Sequence, residues 1–142
     1  MNESLQLALS DMQGQLFEMS IDKGLDSEIF IKEFMLSDIA KDIDSKFNYM
    51  QWAGKEYIME RILDELKDKL KYGGEIFDSE MMYWTGYVYR SWHFYTGENS
   101  KTIYKKASAK TMRITYFPYH TMSVEMTIDR LKELYKGKKK KK

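Results

Sequence analysis

Apolar residues recur along this chain at three- and four-residue steps, the period of helices that bury one face. Leu5, Ala8, Met12, Leu16 and Met19 predict a first helix over residues 4–23, with Ser4 as N-cap and Gly24 as its C′ residue. Ile29, Phe30, Phe34 and Met35 predict a short second helix capped by Asp26 or Ser27. Ile39, Ala40 and Ile43 predict a third, restarted at Ser37 or Asp38. The stretch from Ser45 to Gly54 reads as containing a loop. Tyr57, Ile58, Ile62, Leu66 and Leu70 then form the stripe of a long helix that Gly73-Gly74 stops, with Glu56, Glu60, Asp64 and Asp68 on its exposed face.

Asp78 or Ser79 caps a helix running to Gly97, and Asn99 or Ser100 opens another that carries Ile103, Tyr104 and Ala107. Ser108 starts a further turn through Met112 and Tyr116, which should end before Pro118. Ser123 caps the last helix, with Val124, Met126, Ile128, Leu131 and Leu134 along it. There is no internal repeat. Arg113 to Tyr119 comes nearest to a strand, although nothing alternates cleanly. The pattern predicts an all-α fold, an irregular bundle of five to seven helices in a single domain over residues 1–135. A disordered basic tail, 136–142, should follow.

The helix at 79–96 is chemically distinctive. On a wheel, Tyr83, Trp84, Tyr87, Val88, Trp92, Phe94 and Tyr95 cover about half of its circumference, and Met82, Gly86, Tyr89, Arg90 and His93 occupy the rest. So much apolar surface predicts a place at the centre of the bundle. Gly86 would let a neighbouring backbone or a ligand come close, at a cost of about 1 kcal/mol in helix propensity. Arg90 and His93 are three residues apart beside Gly86, with Tyr89 adjacent, so a fixed cation, a titratable imidazole and a phenol should converge there. Two readings follow. The residues form an anion or nucleotide site, or they form a polar seam with Arg90 paired to a carboxylate and His93 bonded to a backbone carbonyl. The seam is the commoner outcome in helical bundles.

Charge changes the picture of partners. The formal net charge is +1, but six of the 23 basic residues lie at Lys136 and Lys138–Lys142, after every one of the 22 acidic residues. The body before them holds 17 basic against 22 acidic residues, a balance of −5. That is a poor footprint for gripping nucleic acid, which needs clustered Lys and Arg; only the lysine tail could supply such attraction. The absence of cysteine excludes disulfides and thiolate metal sites and points to a reducing, cytoplasmic setting. The acidic start, Met-Asn-Glu-Ser, is unlike a secretory leader. Uncharged stretches such as Met81–Tyr89 fall far short of the ~20 residues that span a bilayer.

Other constellations carry less. Arg90-x-x-His93 is similar to the Arg-His motif of some helical ribonuclease toxins, but those place a longer gap between the two residues. The acidic rows on the 56–68 face and at Glu125, Asp129 and Glu133 lack the Glu-x-x-His pairs of helical di-metal sites, and they read as solvated faces. No nucleotide-binding glycine loop, nucleophile elbow or zincin motif is present. No catalytic residue, metal ligand or cofactor is therefore assigned. Tyr116, Phe117, Tyr119 and His120 flank Pro118 as a second aromatic cluster, either a rim for a protein partner or a helix corner packed by rings. The eleven methionines fall mostly at apolar helical positions and read as core.

The residues from Met81 to His93, with Thr96-Gly97-Glu98-Asn99-Ser100, Ile103-Tyr104, Met50-Gln51-Trp52-Ala53-Gly54 and His120-Thr121-Met122, carry a resemblance over residues 26–131. The chain resembles small all-helical bacterial proteins that act as antitoxin or accessory components of toxin–antitoxin loci, some beside ADP-ribosyltransferase-like toxins. The resemblance implies a binding role in a two-gene module and brings no active site with it. The expectation is a non-enzymatic partner-binding protein that neutralises or regulates a neighbouring toxin, and a homodimer is compatible with it. The alternative is a small nucleotide- or anion-binding enzyme or sensor, in which Arg90 grips a phosphate and His93 donates a proton.

Overall fold

Side chains standing in for missing backbone acceptors start nearly every helix. The computed structural model describes residues 2–45 and 53–140. Residues 46–52, with most of the expected loop and Met50, Gln51 and Trp52, lie outside the described residues, as do Met1, Lys141 and Lys142. Eight helices are present among the described residues. They are α1 (Glu3–Asp22), α2 (Ser27–Met35), α3 (Asp38–Asp44), α4 (Lys55–Glu65), α5 (Ser79–Thr96), α6 (Ser100–Lys106), α7 (Ala109–Tyr119) and α8 (Val124–Lys140). The all-α class is as expected. The number exceeds five to seven, with the turn expected from Ser108 forming a full helix of its own, α7.

Asp26, Ser37, Asn99, Ser108 and Ser123 each accept a hydrogen bond from the backbone N–H three residues on. Asp78 accepts from the N–H of Glu80. At α1 the cap is Asn2, whose Oδ1 lies 2.8 Å from the Leu5 nitrogen, and not Ser4. The first helix therefore starts one residue earlier than predicted. α4 follows Gly54 without a side-chain cap.

Three further elements differ from the sequence reading. The long helix through Leu70 ends at Glu65, and Leu66 turns inward to remain buried. The chain after it runs back along the α1–α2 corner. Asp26 N–H donates to the Lys71 carbonyl, Gly73 N–H to that of Gly24, and Ser27 N–H to that of Glu75. The Asp26 carboxylate also accepts from Glu75 N–H. Gly73 and Gly74 both have positive φ, which lets this backbone clamp form. Next, Arg113–Tyr119 is helical, and Pro118 sits inside α7. Proline removes only the bond to the carbonyl of Ile114, a residue at the surface where water can serve instead. Lastly, α8 continues through residues 136–140, where composition suggested disorder. Lysine is a good helix former, and cations suit the negative end of the helix dipole.

One hydrophobic core draws on all eight helices. Phe17 of α1 lies at its heart, edge-on to Phe30, Phe34 and Tyr89 with ring centroids 5.3, 5.5 and 6.2 Å away. α1 and α5 form the most extensive helix pair. As expected of a central helix, α5 buries residues from both arcs of its wheel. Met82, Gly86, Tyr89 and Arg90 are buried together with Trp92 and Val88, whereas Tyr83, Trp84, Tyr87 and Phe94 are half-buried and Tyr95 is exposed. The reason is backbone approach. A Cβ on Gly86 would stand 2.5 Å from the Gln13 carbonyl oxygen, and one on Gly14 would stand 2.7 Å from the Tyr83 ring. Glycine in both helices lets the axes come close, and α5 turns its small-residue side inward.

Gly86→Ala should therefore destabilise the fold by about 1–3 kcal/mol through overpacking, despite roughly 1 kcal/mol gained in helix propensity. Gly137→Ala, in α8 with open space around it, should be neutral or stabilising. Urea unfolding of both variants checks this; equal midpoints would refute the close crossing.

Candidate functional site

Arg90 points from the fourth turn of α5 into the interior and is fully buried. A guanidinium cannot shed its charge at such a site, so it needs partners for its donors. Its Nη1 donates to Asp44 Oδ1 at 2.6 Å and its Nε to Gln13 Oε1 at 2.9 Å, while Nη2 reaches Ser100 Oγ at 3.5 Å. Each partner is held in turn. Asp44 also accepts from the Ser100 hydroxyl and N–H, both at 2.8 Å. The Gln13 amide donates to the Gly86 carbonyl at 3.1 Å. Burial pulls the Arg90 pKa below its ordinary value, and the Asp44 carboxylate opposes that pull.

His93 lies one turn on. Its Nδ1 is 2.7 Å from the Glu98 carbonyl oxygen and 3.9 Å from Asp44. A carbonyl only accepts, so Nδ1 carries the proton. Tyr89 takes no part in this network. Its hydroxyl donates to the Ala107 carbonyl at 2.6 Å, and burial raises its pKa well above the ordinary value, with Tyr104 adding to the effect. The structure thus brings Arg90, His93 and Gly86 into one seam and separates the Tyr89 phenol from it.

The seam continues into a second cluster. Trp92 Nε1 donates to Glu98 Oε1 at 2.9 Å, and Lys106 Nζ lies 2.5 Å from Glu98 Oε2. Burial opposes ionisation of Glu98, but hydrogen bonds from Lys106, Trp92 and Thr96 outweigh it and hold the carboxyl below its ordinary pKa. A cleft of about 270 Å³ opens beside the seam, with Asp44 and Ser100 in its wall and Lys41 and Lys101 at its rim.

The second aromatic cluster has a different character. Tyr116 is half-buried, edge-on to Trp84 at 5.4 Å and stacked on His120 at 4.5 Å. His120 Nδ1 donates to the carbonyls of Tyr116 and Phe117, each at 2.9 Å. Tyr119 is half-buried against the core. Phe117, however, is 82% exposed, and Ile114, one turn before it, is 70% exposed. Arg113 is tied down beside them, its guanidinium 4.7 Å from the centre of the Phe77 ring and paired with Glu75. Of the expected partner residues, Phe117 and His120 are presented to solvent, and Tyr116 and Tyr119 act mainly as their support.

Among the described residues, no three His, Asp or Glu side chains converge to hold a metal ion, and no helix is long and apolar enough to cross a membrane. Comparison of the chain with protein families, with curated proteins and with solved structures finds no match. Several site residues were not singled out from the sequence. Gln13, Asp44 and Ser100 are distant in the chain, and no local pattern marks them. Ile114 could have been found from its i,i+3 relation to Phe117, had Arg113–Tyr119 been read as helix throughout.

Two outcomes test this geometry. Arg90→Met should cost about 3 kcal/mol, because the part-buried Asp44 loses its counter-charge and Gln13 its donor. The double variant Arg90→Met, Asp44→Asn should cost clearly less than the two single losses combined; additivity in denaturant titrations would refute the coupling. Glu98 has a depressed pKa, so its ionised form adds stability above the ordinary carboxylate range, and this is lost as pH falls through its folded pKa. The stability gap between the wild type and Glu98→Gln should be largest near neutral pH and shrink below about pH 4. Tryptophan fluorescence during denaturant unfolding at each pH measures this gap.

Proposed function

We propose that this chain is a partner-binding protein that neutralises or regulates a toxin encoded beside it, with the outer face of α7 as its contact surface. The observation that carries the binding role is the pair Ile114 and Phe117. Two large apolar side chains stand side by side in solvent on a helix whose other face is anchored by Met112, Thr115 and Tyr116. Isolated exposed apolar residues are ordinary, but adjacent ones on a rigid element mark interaction surfaces. An aromatic anchor next to an aliphatic one, with His120 and Arg113 at the margin, has the composition of an interface centre and its polar rim.

The choice of a toxin as partner comes from the sequence resemblance, and charge supports it. The body's balance of −5 would complement a basic nuclease or nucleotide-handling enzyme and speed its encounter. The alternative, a nucleotide or anion enzyme built on Tyr89, Arg90 and His93, has less support. A phosphate at Arg90 would have to displace Asp44 from a fully buried guanidinium, and the Tyr89 hydroxyl is committed to Ala107.

The test is affinity for the toxin from the native locus, measured on purified proteins. Ile114→Asp with Phe117→Asp should weaken binding by about 100-fold or more. Both side chains are exposed, so unfolding midpoints should stay within about 0.5 kcal/mol of the wild type. Undiminished affinity would remove α7 from the interface, and failure of the wild type to bind would overturn the toxin assignment.

A further inference from the structure

A cleft of about 480 Å³ opens between α1, α5 and α8, separate from the Arg90 seam. Its size is that of a small-molecule site rather than a protein interface. Leu7, Tyr87, Phe94 and Tyr95 form its walls, and the buried Ile128 lies at its base. Leu7 and Tyr95 are each about half exposed, at 53% and 50%, so the walls leave apolar and aromatic surface in contact with solvent. The charges that line it are all of one sign. Glu3 and Glu125 face the cleft, and no Lys, Arg or His does.

Those carboxylates are not neutralised locally. Among the described residues, neither Glu3 nor Glu125 has a cationic group within 4.0 Å. Asp129 adds a third negative charge at the edge, accepting a 3.4 Å hydrogen bond from the Tyr95 hydroxyl. The negative field registers on both phenols of the cleft. Tyr95 is harder to ionise chiefly because of Asp129, and Tyr87 because of burial and then Asp11 and Glu125. Solvent-accessible aromatic side chains beside unpaired carboxylates are the two elements that recognise an organic cation. The rings attract positive charge through their quadrupole and cover an apolar body, and the carboxylates supply the counter-charge.

We propose that the α1–α5–α8 cleft binds a small amphipathic organic cation, an amine or quaternary ammonium carried on an apolar body. The proposal is independent of the α7 surface and of any toxin. An anion is disfavoured by Glu3 and Glu125, and a purely polar cation would leave the walls of Leu7, Phe94 and Tyr95 unused.

Three ligands of one shape separate these contributions: 4-phenylbutylamine, 4-phenylbutanol and 4-phenylbutyrate, titrated into the full chain by calorimetry at neutral pH and low salt. The amine should bind about tenfold more tightly than the alcohol, and the carboxylate more weakly than either. Amide shifts in NMR spectra should map the amine to Leu7, Tyr95 and Ile128. The triple variant Glu3→Gln, Glu125→Gln, Asp129→Asn should bring the amine down to the affinity of the alcohol and leave the alcohol unchanged. Leu7→Lys, at an exposed position that tolerates substitution, should repel the amine selectively. The proposal is overturned if the three ligands bind alike, if none binds at concentrations up to about 5 mM, or if the preference for the amine survives the triple variant.

Discussion

Burying the Arg90 guanidinium is the constraint around which the rest of this protein is arranged. The group keeps its charge at any accessible pH, so every element near it must bring something to bond. α1 brings Gln13, α3 brings Asp44 and α6 brings Ser100, and these reach a residue of α5. Four helices are thus tied through one side chain. Such a pair adds little net stability compared with well-packed apolar residues, but it is intolerant of mispacking, because any arrangement that separates the partners strands a buried charge. The Gln13 amide links the polar seam to the apolar one. It accepts from Arg90 and donates to the Gly86 carbonyl, and that second bond is possible only where the two helix backbones nearly touch.

The same constraint shapes the functional reading. A buried arginine, a histidine and a phenol on neighbouring turns resemble a ligand site when read along the chain. In the folded molecule the arginine's donors are directed to the protein itself, and the phenol serves the α6–α7 corner. What the molecule offers to other molecules lies at its surface. The outer face of α7 exposes Ile114 and Phe117, the surface proposed for a protein partner. The cleft between α1, α5 and α8 is concave, aromatic and acidic, suited to a small cation. The two features are built by different helices and differ in chemistry, so they can act independently.

Much of the helical framework was legible in the chain because its signals are local. Capping by Asp26, Ser37, Asp78, Asn99, Ser108 and Ser123 follows from a side chain meeting a backbone N–H two or three residues on, and this needs no tertiary context. The stops at Gly24 and Gly97 are local for the same reason. The misreadings came where distant parts of the chain intervene. Leu66 and Leu70 continue a helical stripe, yet the segment after Glu65 leaves the helix to pair with the α1–α2 corner. Pro118 signals an end to α7, but at an exposed first lost bond its cost is small enough for the helix to continue.

The sequence by itself determined the class of fold, the position of most helix starts and the residues able to carry charge or aromatic surface, because period, capping and side-chain chemistry act over a few residues. Only the tertiary structure decided which side of α5 is buried. Aromatic count marks Tyr83, Tyr87, Phe94 and Tyr95, yet Gly86 lets the backbone of α5 approach that of Gln13, and Met82, Tyr89 and Arg90 are buried with Val88 and Trp92. Likewise, only the fold placed Asp44 and Gln13, 46 and 77 residues from Arg90 in the chain, within hydrogen-bond distance of it. A buried charge requires a partner, but which distant residue fills that role is set by how the helices pack.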